Sequence, residues 1–165
     1  MCKEGSTEIH KRRRVVLGVG NLLMSDEGFG VHVARQMEKM DLPEDVEVVE
    51  GGTDGFHLID VVLGAKRLVI IDAIRRGGEP GSIHRFDLKD APAARLGKLD
   101  SAHQVGMLEV LSLASLLGEV PETTFVCVEP ESLQMGMSLT ETVERTIPRV
   151  IELVLEEVTR SGGER

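Results

Sequence analysis

The stretch that most constrains this chain is Val15-Val16-Leu17-Gly18-Val19-Gly20-Asn21-Leu22-Leu23-Met24-Ser25-Asp26-Glu27-Gly28-Phe29-Gly30-Val31. It opens as an unbroken apolar run, the pattern of a strand covered on both faces. Glycines then permit a tight turn, and Ser25-Asp26 offer N-caps for an amphipathic segment. A strand, a turn and a helix start in this order belong to an open α/β sheet, where ligands bind beyond the carboxyl ends of the strands. Asp26 and Glu27 fall at that place. Asp26 reads as the cap of the first helix, a role that leaves Glu27 to project over the crest.

The remaining elements alternate in the same way. A helix is expected from Glu27 to Met40, with Phe29, Val33, Met37 and Met40 on its buried face and Pro43 beyond it. Val46–Glu50 reads as a short strand ending at Gly51-Gly52-Thr53. Phe56–Leu63 reads as a helix with Gly64 as its left-handed stop. Leu68–Ile71 is a second fully buried strand type and ends on Asp72. Residues 82–86 read as a more polar strand at an edge, and residues 87–103 as mostly irregular. Gln104–Leu117 is apolar almost all round, so a largely covered helix is expected. Thr124–Val128 is the last strand. A capping box, Ser138-Leu139-Thr140-Glu141, opens the terminal helix, which Pro148 kinks or restarts. Strands alternating with helices predict a single three-layer α/β domain with a mostly parallel sheet. Its expected limits are residues 14–160, between a basic tail at 1–13 and a short tail at 161–165.

Bulk properties exclude several classes. A net charge of −9 repels phosphate backbones, and 4 Phe with no Tyr or Trp leave few platforms for stacking bases, so no nucleic-acid partner is expected. No run approaches the ~20 apolar residues that span a bilayer, so no membrane association is expected. Cys2 and Cys127 lie far apart, which speaks against a disulfide framework and for the cytoplasm. Cys127 inside a buried strand is poorly placed as a nucleophile, and no G-x-S-x-G elbow is present.

Glu27 follows the first strand, Asp72 ends the third, and His103 precedes a buried helix. Two carboxylates and one imidazole suit a borderline divalent ion such as zinc or nickel. A site with only these donors keeps positions open for water or substrate. Each residue also has an ordinary structural reading: helix-dipole complementarity for Glu27 and helix entry for His103. Asp72 is the most telling, because a carboxylate closing a Val-Ile-Ile run is costly unless something satisfies or uses it.

The segment Gly18–Val31, followed in order by Gly51-Gly52-Thr53, Ile71-Asp72-Ala73, Ser101-Ala102-His103-Gln104, Glu129-Pro130-Glu131-Ser132 and Ser138-Leu139-Thr140, resembles the hydrogenase maturation endopeptidases. The resemblance covers residues 14–158. It implies a twisted five-stranded sheet between helices with one antiparallel strand, to which the polar stretch at 82–86 corresponds. It also implies proteolytic removal of the C-terminal extension from the large-subunit precursor of a nickel–iron hydrogenase. Glu27, Asp72 and His103 match the family's metal-contacting triad, and the nickel is supplied by the substrate, with no organic cofactor. Gly51, Gly52 and Thr53 are expected to line the substrate cleft, and a monomer is the expected state. The chemistry implied is aspartyl-type or metal-assisted.

Two rival functions use the same residues differently. A non-catalytic nickel-binding chaperone needs the triad but no hydrolysis. A nucleotide-binding oxidoreductase needs Gly18-Val19-Gly20 as a dinucleotide turn, with Glu50 on the ribose. There the third glycine of the fingerprint falls on Leu23, and Asp26 and Glu27 put negative charge where a pyrophosphate meets the helix.

Overall fold

The computed structural model describes residues 13–53, 55, 57–90 and 102–161, with the side chains of the helix starting at Ala102 described from Met107 onward. Five strands form one sheet in the order β2-β1-β3-β5-β4. They are β1 (Arg13–Val19), β2 (Val46–Gly52), β3 (Ala65–Ala73), β4 (Ile83–Asp87) and β5 (Glu122–Val128). β1, β2, β3 and β5 are mutually parallel, and β4 closes one edge antiparallel to β5. The expected polar edge strand is therefore present, one residue later than its sequence pattern placed it.

Alternation along the central strands separates two apolar layers. Val15, Leu17 and Val19 of β1, Leu68 and Ile70 of β3, and Phe125 and Cys127 of β5 face helices α2 (Leu58–Gly64) and α3 (Ala102–Leu117). Val16, Val69, Ile71, Val126 and Val128 point the other way, onto α1 (Phe29–Met37) and α5 (Ile147–Thr159). A strand apolar at every position needs such cover on both faces, and both are covered here. A short α4 (Glu141–Glu144) leads into α5, whose first turn holds Pro148; proline starts a second helical piece rather than kinking a long one. Among the described residues, no helix is long and apolar enough to cross a membrane.

Several local expectations fail. The first helix does not begin at Glu27: Ser25–Gly28 form a 3-10 turn, and the α-helix starts at Phe29. Asp26 makes no capping bond to that turn, because its carboxylate is committed to a distant loop. Gly64 is the last residue of α2 rather than a left-handed stop, and Ala65 enters β3 directly in an extended conformation. Finally, α3 is covered on one face only. Met107, Val110, Leu111 and Ala114 are buried, whereas Leu113, Leu116 and Leu117 are exposed. The expected irregular stretch is a short 3-10 turn at Leu88–Asp90, followed by residues 91–101, which lie outside the described set.

The path of the chain fixes where a site can be. From β1 the chain passes through α1 to β2 on one side, then returns through α2 on the other face to β3 on the far side of β1. The strand order therefore reverses between β1 and β3. Crossovers leave this point in opposite directions, and a crevice opens there at the carboxyl ends of the strands.

Candidate functional site

Glu27 lies beside that crevice because the backbone is drawn tightly over β1. Gly20, the first residue after β1, has φ of 134°, and a Cβ there would stand 1.9 Å from the carbonyl oxygen of Glu27. Only glycine lets the 3-10 turn fold back this closely. Two residues into α1, Gly30 does the same: a Cβ would lie 2.1 Å from the Ile71 carbonyl oxygen and 2.4 Å from that of Val19. The beginning of α1 thus rests directly on the ends of β1 and β3. Glu27 is buried on the β1 side of the crevice, and Asp72, next to Ile71, is buried on the β3 side.

Asp72 faces the α2 and α3 layer, in line with Leu68 and Ile70 and opposite Cys127 of β5. Its Oδ1 accepts the backbone N–H of Ala73 at 2.8 Å, which orients the carboxylate at the strand end. Burial, with the Asp72 carboxylate adding to it, pushes the Cys127 thiol well above its ordinary range. A fully buried thiol held protonated is not a nucleophile.

α3 packs on the same face as Asp72. Its C-terminal end lies by α2, where a Cβ on Gly118 would meet Leu63 at 3.1 Å. The helix runs back from the crest, so its first turn, which contains His103, starts at the Asp72 end of the sheet. The His103 side chain falls outside the described residues. Among the described residues no three His, Cys, Asp or Glu side chains are grouped to hold a metal. Glu27 and Asp72 are carboxylates, a hard type of oxygen donor.

The glycines that end β2 border the same crest. The Gly20 amide donates to the Gly52 carbonyl at 3.1 Å, tying the ends of β1 and β2 together. Gly51 is buried, and a Cβ on it would press on Leu17 and Val19 at 2.9 Å. Gly52 has φ of 55° and open space where a Cβ would be, and Thr53 is exposed beside it.

Two carboxylates at this crest have roles that no spacing rule signalled. Fully buried Asp26 takes its hydrogen bonds from a loop more than a hundred positions away: Oδ2 accepts the N–H groups of Glu131 and Ser132 at 2.9 Å each, and Oδ1 that of Thr140 at 2.7 Å. The Thr140 hydroxyl donates to the same carboxylate instead of capping α4, so the capping-box reading of Ser138–Glu141 fails. Glu129 closes β5 as Asp72 closes β3. Its carboxylate accepts the amides of Arg76 and Gly77 and lies 3.4 Å from Nε2 of His84, clamping the turn that follows β3. An acidic residue ending an apolar run is a signal common to both, so the pattern that singles out Asp72 could have found Glu129 as well.

Comparison with known proteins places this geometry. The hydrogenase maturation protease family profile matches residues 31–157. The chain belongs to the hydrogenase maturation protease family. It is 39% identical over 155 residues to the hydrogenase 2 maturation protease of Escherichia coli, covering 92% of this chain and 94% of that protein. A hydrogenase expression/formation protein, HupD of Rhizobium leguminosarum, is 39% identical over 92% of this chain and 76% of its own length. The solved structure of the hydrogenase maturating endopeptidase HybD from E. coli superposes with a TM-score of 0.83 at 38% identity, over 91% of this chain and 94% of that one. A [NiFe] hydrogenase maturation protease HybD from Thermococcus kodakarensis gives 0.70 at 30% identity, over 86% and 95%. The five-stranded mixed sheet described above is thus the fold of this protease family. The family match takes in Asp72 and His103 and starts just beyond Glu27. A dinucleotide reading finds no support here: Glu50, its ribose acid, is held by Arg35 at 3.0 Å, and Asp26 and Glu27 occupy the turn a pyrophosphate would need.

Proposed function

We propose that this maturation protease removes the C-terminal extension of a nickel-loaded hydrogenase large-subunit precursor, and that Glu27, Asp72 and His103 engage the substrate's nickel. The observation that supports this most is the approach of the Glu27 turn and the Asp72 strand end at the reversal point between β1 and β3. The first turn of α3 starts at the same end of the sheet. The nickel arrives with the substrate and is not a resident cofactor. Two carboxylates and an imidazole suit the free coordination positions of such an ion.

Gripping an ion embedded in the precursor fixes the adjoining peptide bond relative to the enzyme. Fixing reactants in register lowers the barrier by several kcal/mol. Hydrolysis then adds water across the scissile C–N bond. A carboxylate accepts the proton of the attacking water, the hydroxyl joins the carbonyl carbon, and the departing amine takes up a proton. Polarisation of the carbonyl by the substrate's metal assists the attack. This chemistry belongs in the cytoplasm, with the enzyme acting as a monomer on its precursor.

The test is incubation of the purified protein with precursor prepared with and without nickel, followed by size analysis. Shortening of only the loaded precursor is expected. Glu27→Gln, Asp72→Asn and His103→Ala are expected to keep the wild-type melting profile and lose at least about 100-fold in processing rate, the scale of misplaced reacting groups. Metal transfer with an intact C-terminus would instead identify a nickel carrier. Normal trimming by Asp72→Asn would remove the triad mechanism.

A further inference from the structure

Beside the carboxylates lies an exposed apolar lip that neither the fold nor the triad explains. Met24 and Gly136 form an isolated parallel bridge, with the Gly136 amide donating to the Leu23 carbonyl at 2.9 Å and the Ser25 amide to the Gly136 carbonyl at 2.7 Å. Leu23, Met135 and Met137 flank this bridge at 57%, 88% and 71% exposure. Apolar side chains this exposed are ordinarily singletons; three on two paired segments are not. The segments are also fixed. Ser25 Oγ donates to the Gln134 carbonyl, the Asp26 amide donates to the Ser132 carbonyl, and the Asp26 carboxylate holds both ends of the 131–140 loop. The fit at 136 is close, since a Cβ there would stand 2.9 Å from Ser25 Oγ and push that hydroxyl aside.

We propose that Leu23, Met135 and Met137 form the docking surface for an apolar segment of the precursor polypeptide, seated next to the triad. This rests on the function proposed above and adds the surface that selects the protein part of the substrate. Continuity supports it: Leu23 lies two positions before the 3-10 turn that carries Glu27, so a segment on the lip leads toward the crevice. Charge supports it as well. Buried Glu27 and Asp72 favour a cation-bearing partner beside the apolar contact, and the chain's net charge of −9 disfavours a second copy of itself. Three side chains also fall far short of the about 800 Å² per partner of a stable dimer. Unbranched methionines with polarizable sulfur suit a surface that must accommodate a flexible peptide.

The experiment measures precursor binding and steady-state processing for Met135→Asp, Met137→Asp and Leu23→Asp, with Leu116→Asp and Leu117→Asp as controls at the far end of α3. Each lip variant is expected to melt like wild type, to raise KM and the precursor Kd roughly 10- to 100-fold, and to leave kcat unchanged. Met135→Leu is expected to restore binding. Unchanged KM and Kd in the lip variants, or an equal effect of Leu116→Asp, would overturn the proposal. So would a dimer in sedimentation that Met135→Asp dissolves, since a second copy would then occupy the lip. Lip-dependent binding without cleavage by wild type would sink the protease reading and keep the docking surface. Cleavage indifferent to the lip would do the reverse, and absence of any binding by wild type would overturn both.

Discussion

Asp26 and Thr140, more than a hundred positions apart in sequence, meet twice: Oδ1 of Asp26 accepts the Thr140 amide at 2.7 Å, and the Thr140 hydroxyl donates to Oδ2 at 2.9 Å. The carboxylate also receives the amides of Glu131 and Ser132. One buried anion thereby organises a loop that has little apolar anchorage of its own. Each donor left without an acceptor costs ~1–3 kcal/mol, so Asp26→Ala is expected to lose at least about 3 kcal/mol in urea unfolding. Thr140→Val keeps the amide bond and is expected to lose about 1 kcal/mol. Equal losses for the two variants would mean that the amides of residues 131 and 132 find other acceptors.

Gly30 fixes the distance between α1 and the sheet. Alanine inside a helix gains about 1 kcal/mol over glycine in propensity. Here the added methyl meets two backbone oxygens at 2.1 and 2.4 Å, neither of which can rotate away. Overpacking of about 1–3 kcal/mol therefore outweighs the gain, and the helix start that carries Glu27 is displaced from Asp72. Gly30→Ala is expected to be less stable than wild type and to lose more in processing rate than its folded fraction explains. A stabilised, fully active variant would contradict this placement.

His32, on α1, has its pKa lowered first by burial and then by the Arg35 guanidinium, against an opposing pull from Glu144. The folded protein therefore binds fewer protons here than the unfolded chain as pH falls below the ordinary histidine value near 6.5. By linkage, this residue's contribution favours unfolding progressively as pH drops through 6.5 toward the lower folded value, and is absent above 6.5. His32→Gln is expected to flatten the fall in melting temperature between neutral and mildly acidic pH. An identical slope in the variant would rule this out.

At the end of the sheet opposite the crest, buried Glu157 accepts a hydrogen bond from Arg67 at 3.1 Å and forms ion pairs with Arg85 at 2.8 Å and Arg160 at 3.2 Å. Arg67 is buried as well and reaches Glu122 at 2.8 Å. Removing one charge from a buried pair costs about 3–5 kcal/mol. Glu157→Gln is expected at about 3 kcal/mol, because Arg85 and Arg160 are partly solvated and Arg67 retains Glu122. Processing below the melting transition is expected to be unchanged, and a loss of rate at full folding would show coupling across the sheet.

Much of this molecule was legible in the chain itself. Val15–Val19, Leu68–Ile71 and Phe125–Val128 are apolar at consecutive positions, and such short runs suit strands covered by helices on both faces. Gly18-Val19-Gly20 and Asp72 announced the crest by the same logic, since a turn of glycines and a carboxylate at a strand end have few other uses. Asp26, Glu129 and Glu157 were different. A helix cap, a loop anchor and an ion-pair hub all look alike as single acids in a sequence, because the local spacing carries no record of partners that lie tens of positions away or more. Likewise, the apolar surround of α3 gave no indication that Leu113, Leu116 and Leu117 would be left outside. Periodicity and turn chemistry, which act over a few residues, determined the elements and their alternation. The folded sheet alone decided which acids are buried together and which apolar side chains stay exposed, because burial and long-range hydrogen bonding depend on neighbours that only the tertiary packing brings.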